Sequence, residues 1–183
     1  KPQRWPKDPT KTANSYKQFL QFCKLAETEL EKPNPSFKTI VVDGMNELQE
    51  VILRNIVATY TGRGVGERNY DDQPTQSDYG KMLRDGMKIF RKLFRLPCNV
   101  VYLAVATNRQ YEDDKVIPQF IGKGTANEVM RLVSNVGYCY TVVNGEDVEY
   151  QVSFVDTPLH AGKDRLGLAT KAYPNDFTKW GLR

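Results

Sequence analysis

The residue best placed for chemistry is an aspartate at the end of a short β-branched run. Lys38-Thr39-Ile40-Val41-Val42-Asp43 reads as a buried strand that ends in a carboxylate. Open α/β sheets bind ligands at the carboxyl ends of their strands, where a carboxylate can hold Mg²⁺ for a nucleotide. The alternative is that Asp43 caps the helix that follows. The residues alone leave both interpretations open.

A polar pair, Thr107-Asn108, follows a second predicted strand, 99–106. If the two strands are neighbours, this pair lies beside Asp43. A hydroxyl or an amide there could orient a water molecule or a γ-phosphate. The alternative is an ordinary cap at the end of the strand.

Two long polar segments carry side chains suited to single-stranded nucleic acid. Such strands are bound by cations together with aromatic platforms. The candidates are Arg63, Arg68 and Tyr70 in segment 62–76, then Lys115, Phe120 and Lys123 in segment 111–124. Acidic residues in both segments would repel phosphate unless they are paired or turned away. Neither segment contains Gly-Lys-Ser/Thr, so neither is a phosphate-binding P-loop.

The elements that must position these residues follow from periodicity and turn signals. Strand, helix, loop, helix and strand in this order predict a parallel crossover and an α/β layer. A turn at Asn144-Gly145 joins two later strands into a hairpin. Residues 1–13 are expected to be extended. The predicted helices are 14–30, 47–60, 78–96 and 125–133, and the predicted strands are 38–43, 99–106, 136–143 and 148–155.

The third predicted helix has an apolar face and an opposite face that is almost entirely basic. A single acid, Asp85, interrupts the positive charge. The face is either a solvated surface or a stripe for nucleic acid or an acidic partner. The basic residues are Lys81, Arg84, Lys88, Arg91, Lys92 and Arg95.

Length and composition favour one domain over residues 1–183, since 40% of the residues are hydrophobic. A net charge of +4 permits a polyanionic partner. The three cysteines are far apart and odd in number, which favours reduced thiols and a cytoplasmic protein. No apolar stretch approaches the roughly 18 residues of a membrane span. The chain opens without Met, as the middle of a longer protein would.

The order of these features resembles the RecA-like nucleotide-binding proteins of bacteriophages. This P-loop ATPase family includes single-strand annealing recombinases. The matching features are a Walker-B-like 39–43, a sensor-like strand ending Ala106-Thr107-Asn108, the segment 117–124 with the helix after it, and the late Lys163-Asp164-Arg165. The resemblance implies an α/β fold with a RecA-like, mostly parallel sheet flanked by helices, and a C-terminal antiparallel extension.

The resemblance also implies functions for particular residues. Asp43 would hold Mg²⁺ through water, and Thr107 with Asn108 would sense the γ-phosphate. Lys163, Arg165 or Lys171 would reach the ATP of a neighbouring subunit. Segments 62–76 and 111–124 would face single-stranded DNA.

The resemblance also implies how the protein assembles and where it acts. It would form a homo-oligomer with Mg-ATP at subunit interfaces, have a single-strand-binding protein as partner, and act in the host cytoplasm.

Two departures from the family pattern limit these implications. A Walker A loop with its Lys is absent from the sequence, and without it ATP cannot be held usefully. We therefore expect residues 1–183 to be the C-terminal part of a longer chain that hydrolyses ATP. Asp43 is followed by Gly44 rather than Glu, and Glu47 is a weak substitute for a catalytic base. The alternative function is a non-catalytic DNA-binding or assembly module of the same fold.

Overall fold

The computed structural model describes residues 9–59, 68–69, 71–107, 115–167 and 173–174, with the backbone alone for 9–14, 123 and 173–174. These residues form a mixed α/β structure. The helices are α1 (Pro9–Leu30), α2 (Met45–Thr59), α3 (Gln76–Phe94) and α4 (Lys123–Leu132). The strands are β1 (Thr39–Asp43), β2 (Asn99–Leu103), β3 (Asn135–Val136), β4 (Tyr138–Asn144), β5 (Asp147–Ser153), β6 (Lys163–Asp164) and β7 (Tyr173–Pro174).

The chain divides into two compact units. The first comprises Lys1–Ala104 and Phe120–Thr125, and the second comprises Val105–Gln119 and Ala126–Arg183. The first unit contains β1, β2 and the helices α1 to α3. The second contains the remaining strands, and α4 begins in the first unit and continues in the second.

The parallel crossover is confirmed in the first unit. β1 and β2 pair in parallel, with Thr39 opposite Asn99 and Asp43 opposite Leu103. β1 was expected to be a buried strand, but Val41 is 51% exposed while Ile40 and Val42 are buried. Because successive side chains of a strand point to opposite faces, only one face of β1 is covered by the described residues.

The core of the first unit lies between the helices and the covered face of β1. α2 contacts both α1 and α3, and it is buried on more than one side, as the spread of its apolar residues around the helix predicts. The Phe90 ring meets Tyr102 and Phe120 edge to face, at centroid distances of 6.0 and 6.2 Å. Among the largest fully buried side chains of this core are Phe90, Met45, Ile52, Met82 and Leu93.

Two predicted boundaries were wrong by three residues or more. α1 begins at Pro9, within the segment expected to be extended. Proline is favoured in the first turn of a helix because its missing N–H would be unpaired there in any case. β2 ends at Leu103, three residues before the predicted end. Ala106 leaves the parallel pair and forms an antiparallel bridge with Pro118.

The mostly parallel RecA-like sheet is not what the described residues show. Their parallel strand pairing is limited to β1–β2, and the strands of the second unit pair as antiparallel β3–β6 and β4–β5–β7. The predicted hairpin is confirmed as β4–β5, with Asn144 opposite Asp147. Gly145 has φ +66° at the first central position of its turn, where a type II′ turn requires glycine. No helix within the described ranges is long and apolar enough to span a membrane.

Candidate functional site

Asp43 lies at the carboxyl end of β1 with an exposed side chain. The next residue, Gly44, turns the chain into α2 with φ +85°. The Gly44 carbonyl accepts the Leu48 N–H at 3.0 Å, so Gly44 occupies the capping position of α2. Within the described part of the chain the Asp43 carboxylate accepts no hydrogen bond from α2. Among the described residues, Asp43 therefore does not act as the cap of α2.

The backbone conformation at position 44 and the neighbouring Glu47 side chain both favour glycine there. A Cβ atom there would lie 3.3 Å from Cγ of Glu47, and the positive φ disfavours any other side chain. Glu47 is exposed in the first turn of α2. The tight turn thus brings this second acid close to the end of β1.

The exposed, uncommitted carboxylate of Asp43 fits a magnesium ion held through water. Mg²⁺ prefers oxygen ligands, keeps several of its waters and is commonly bound by one or two carboxylates plus phosphate oxygens. Over the described residues there is no group of three or more His, Cys, Asp or Glu side chains that could hold a metal ion. Asp43 is therefore not part of a larger acidic cluster among these residues.

Thr107, in the second unit, is fixed by two hydrogen bonds to Ile117. Its N–H donates to the Ile117 carbonyl at 2.9 Å, and its Oγ1 accepts the Ile117 N–H at 3.0 Å. A hydroxyl that accepts a hydrogen bond still has its own proton to donate. Thr107 is therefore held against Ile117 rather than at the end of β2, and its hydroxyl keeps a donor for a phosphate or a water molecule. Asn108 lies outside the described residues.

Lys163 and Arg165 differ sharply in their surroundings. The Lys163 ammonium donates to the carbonyls of Met130, Arg131 and Val133 at 2.8, 2.9 and 2.7 Å. All three of its protons are used at the end of α4, where a cation also offsets the helix dipole. Desolvation lowers the pKa of Lys163.

Arg165 is exposed and has no partner among the described residues. It follows Asp164, which accepts the Asn135 side-chain N–H at 2.9 Å and the Leu166 N–H at 3.0 Å. Arg165 is therefore the cation of this segment that is available to a ligand. Lys171 lies outside the described residues.

Comparison with known proteins identifies the class of the chain. A family model described as an AAA domain matches residues 4–166, which is most of the sequence. The chain belongs to the AAA domain family. These proteins are P-loop ATPases, which generally use ATP and Mg²⁺. Neither a curated protein nor a solved structure matches the chain.

Arg68 of this AAA domain was predicted to bind nucleic acid. In the structure its guanidinium forms an ion pair within the protein. Its Nη1 and Nη2 donate to the two carboxylate oxygens of Asp78 at 2.5 and 2.8 Å. Asp78 is fully buried and also caps α3 through a reciprocal capping box with Thr75. The hydrogen bonds from Arg68, and to a smaller extent those from Thr75, hold the pKa of Asp78 well below its usual range.

Lys115 is likewise engaged in the AAA domain. Its Nζ lies 2.5 Å from Oδ1 of Asp156, which also accepts the Gly162 N–H at 3.0 Å. This ion pair lowers the pKa of Asp156. The residue after Lys115, Val116, forms a parallel bridge with His160. The charge of Lys115 is balanced by Asp156 within the protein.

Phe120 is a half-buried packing residue whose ring meets Phe90. Arg63 and Tyr70 lie outside the described residues, and Lys123 is described only as part of the α4 backbone. Their predicted contacts with nucleic acid stay predictions.

Gln49 is a buried residue of the AAA domain that the sequence analysis missed. Its Oε1 accepts the Ile121 N–H at 2.7 Å, and its Nε2 donates to the Ile121 carbonyl at 3.4 Å. The same carbonyl accepts the Thr125 hydroxyl at 3.0 Å. Gln49 is an amide among the apolar residues of α2, and a buried amide needs a hydrogen-bond partner. This feature of the sequence could have indicated that Gln49 binds another part of the chain. Gln49 ties α2, the helix that follows Asp43, to the end of segment 111–124.

Replacing Gln49 with leucine should lower the free energy of unfolding by about 1–3 kcal/mol, because the Ile121 N–H would be left unpaired. Urea unfolding measures this, and amide hydrogen exchange at Ile121 should become faster. The matched control is Gln18→Leu on the exposed face of α1, which should change stability by less than about 0.5 kcal/mol. Equal stability of the two variants would contradict a clamping role for Gln49.

Proposed function

We propose that this protein is a RecA-like ATPase that acts on single-stranded DNA in phage recombination or strand annealing, as a homo-oligomer with Mg-ATP at subunit interfaces. One observation carries the ATPase part. In an AAA domain, Asp43 ends a strand of a parallel pair with its carboxylate exposed and not used for capping. That is where a nucleotide's magnesium ion is expected.

The residues have distinct functions in this proposal. Asp43 holds Mg²⁺ through water, and the ion, when bound, neutralises charge on the β- and γ-phosphates. Thr107 uses its remaining hydroxyl proton as a donor to the γ-phosphate or to the attacking water. Arg165 reaches the nucleotide of a neighbouring subunit, where an arginine stabilises the charge that develops during phosphoryl transfer.

Single-stranded DNA is proposed as the substrate because of the resemblance to phage RecA-like proteins and the net charge of +4. The same proposal includes a single-strand-binding protein as partner and action in the host cytoplasm. Segments 62–76 and 111–124 are the proposed DNA-facing loops. Since Arg68 and Lys115 are paired within the protein, contacts with DNA require their partners to be exchanged or other residues of these segments to be used.

Binding of a labelled oligonucleotide to the intact protein tests this proposal. We expect binding to tighten with ATP and Mg²⁺ and to weaken steeply with salt, as backbone contacts require. Binding that is the same with and without ATP would favour the non-catalytic DNA-binding or assembly module. Absence of binding at low salt would contradict the DNA part and leave membership in the AAA domain family intact.

A further inference from the structure

α3 presents an exposed line of cations that the nucleotide site does not use. We define the basic stripe as Arg84, Lys88, Arg91 and Arg95, all of them exposed. At 100° per residue, these four positions fall within about 60° of one another around the helix. At 1.5 Å per residue they extend over about 16 Å. The stripe is therefore narrow, nearly straight and of a single sign.

The acids beside the stripe are already paired with lysines. Asp85 contacts Lys81 at 2.8 Å and Lys88 at 3.2 Å, and Glu27 of α1 contacts Lys92 at 2.9 Å. Three arginines of the stripe, Arg84, Arg91 and Arg95, have no partner among the described residues. Their charges are left for a ligand or for solvent.

A helix dipole explains only part of this pattern. Cations in the last turn of α3 stabilise its carboxyl end, and Arg91 and Arg95 lie there or directly after it. Arg84 lies in the middle of the 19-residue helix, beyond the reach of that effect. Exposed helices normally mix charges of both signs, because like charges four residues apart are destabilising. A line of arginines therefore carries a cost in stability.

The carboxyl end of the stripe opens into a hollow of about 440 Å³. It is lined by Glu27, Lys88, Arg91, Lys92, Arg95 and Leu96, and the acid among them, Glu27, is paired with Lys92. The remaining cations suit the phosphates of a single strand. Guanidinium groups also bind phosphate in a bidentate manner, which lysines do not.

The carboxyl end of the stripe and Asp43 lie at opposite edges of the parallel pair. α3 ends at Phe94 and β2 begins at Asn99, so the end of the stripe is near the amino edge of the strands. Asp43 and Leu103 form the carboxyl edge. Four residue steps of strand separate the edges by about 13 Å. A ligand at the carboxyl end of the stripe would therefore lie about one strand length from Asp43.

We propose that the basic stripe binds the phosphate backbone of a nucleic-acid single strand, at a site separate from the nucleotide and from the two predicted loops. Binding there presupposes the nucleic-acid part of the proposed function but not the nucleotide part. The regularly spaced phosphates of a single strand match the line of positive charges in the basic stripe. An acidic peptide would place its carboxylates less regularly.

The test compares the intact wild-type protein with the triple variant Arg84→Gln, Arg91→Gln and Arg95→Gln. Glutamine keeps a good helix propensity at these exposed positions. Fluorescence anisotropy of a labelled oligonucleotide, measured without ATP from 50 to 200 mM salt, gives the slope of log affinity against log salt. For three lost phosphate contacts on a single strand, that slope should become shallower by about 2. Arg131→Gln, at an arginine that is 78% exposed on α4, is the matched control and should keep the wild-type slope.

Each alternative outcome is distinct. A triple variant that melts with the wild type and keeps its salt slope would overturn the stripe and leave the proposed function standing. A wild-type protein that binds no oligonucleotide at 50 mM salt would overturn both the stripe and the DNA part of that function, while ATP hydrolysis could still be measured. Polyglutamate that displaces the oligonucleotide as well as unlabelled DNA does would identify an acidic protein as the partner instead.

Discussion

Replacing Asp43 with asparagine should lower Mg²⁺-dependent ATP hydrolysis by the intact protein at least about 100-fold, because a metal ligand contributes several kcal/mol to stabilising the transition state. Asparagine has the same shape as aspartate but lacks the negative charge. Since Asp43 is exposed and makes no capping hydrogen bond among the described residues, the fold should not depend on it. Phosphate release at saturating ATP measures the loss.

A magnesium titration sharpens this result. Residual activity of the Asp43→Asn protein should require a higher Mg²⁺ concentration than the wild type, since the ligand that holds the ion is weakened. The matched control is Asp147→Asn, at an exposed aspartate on β5, which should keep wild-type turnover. Turnover of Asp43→Asn within a factor of two of the control would remove Asp43 from the nucleotide site.

The parts of the fold that the sequence predicts are those governed by local pattern. The β-branched run before Asp43, the apolar residues spread around α2 and the two-faced α3 each specify an element from consecutive residues. The order of these elements also predicts that β1 and β2 are parallel. The end of β2 could not be predicted in this way, because Ala106 pairs with Pro118 across a segment whose course is not a local property.

The partners of charged side chains were the least predictable feature of the candidate site. Lys115 meets Asp156, which lies 41 residues away, and Lys163 meets carbonyls 30 to 33 residues away. Sequence spacing gives no signal for such contacts, so these cations read as free to bind a ligand. Arg68 is different, because Thr75-x-x-Asp78 before an apolar run has the form of a capping box. That pattern could have indicated that Asp78 is structural and that a cation would pair with it.

Asp78→Asn should lower the free energy of unfolding by about 3 kcal/mol, since removing one partner of a buried ion pair leaves the other uncompensated. Besides the Arg68 guanidinium, the Asp78 carboxylate accepts the Thr75 N–H at 2.7 Å and the Thr75 hydroxyl at 2.8 Å. An amide cannot accept all of these hydrogen bonds. Urea unfolding at neutral pH measures the loss. Asp85→Asn, which breaks the partly exposed pairs with Lys81 and Lys88, is the control and should cost less than about 1 kcal/mol.

The difference between wild type and Asp78→Asn should also depend on pH. The folded protein holds the pKa of Asp78 below its ordinary value of 3.8, so the unfolded chain binds a proton at a higher pH than the folded one. The stabilisation is therefore complete above about pH 5 and is lost as the pH falls through 4 and below. The two unfolding free energies should converge in acid. A constant difference between pH 7 and pH 3 would contradict the ion pair.

Substitutions of Arg68 distinguish a structural role of this residue from a role in nucleic-acid binding. Lysine keeps the charge of arginine but cannot form the two parallel hydrogen bonds that join Arg68 to both oxygens of Asp78. If the ion pair is its function, Arg68→Lys should lower stability and leave the salt slope of oligonucleotide binding unchanged. If Arg68 leaves Asp78 to contact DNA, Arg68→Met should make that slope shallower, by about 0.7 for one phosphate contact. The buried position of Asp78 favours the first result, because releasing Arg68 would leave a carboxylate inside the protein without its counter-charge.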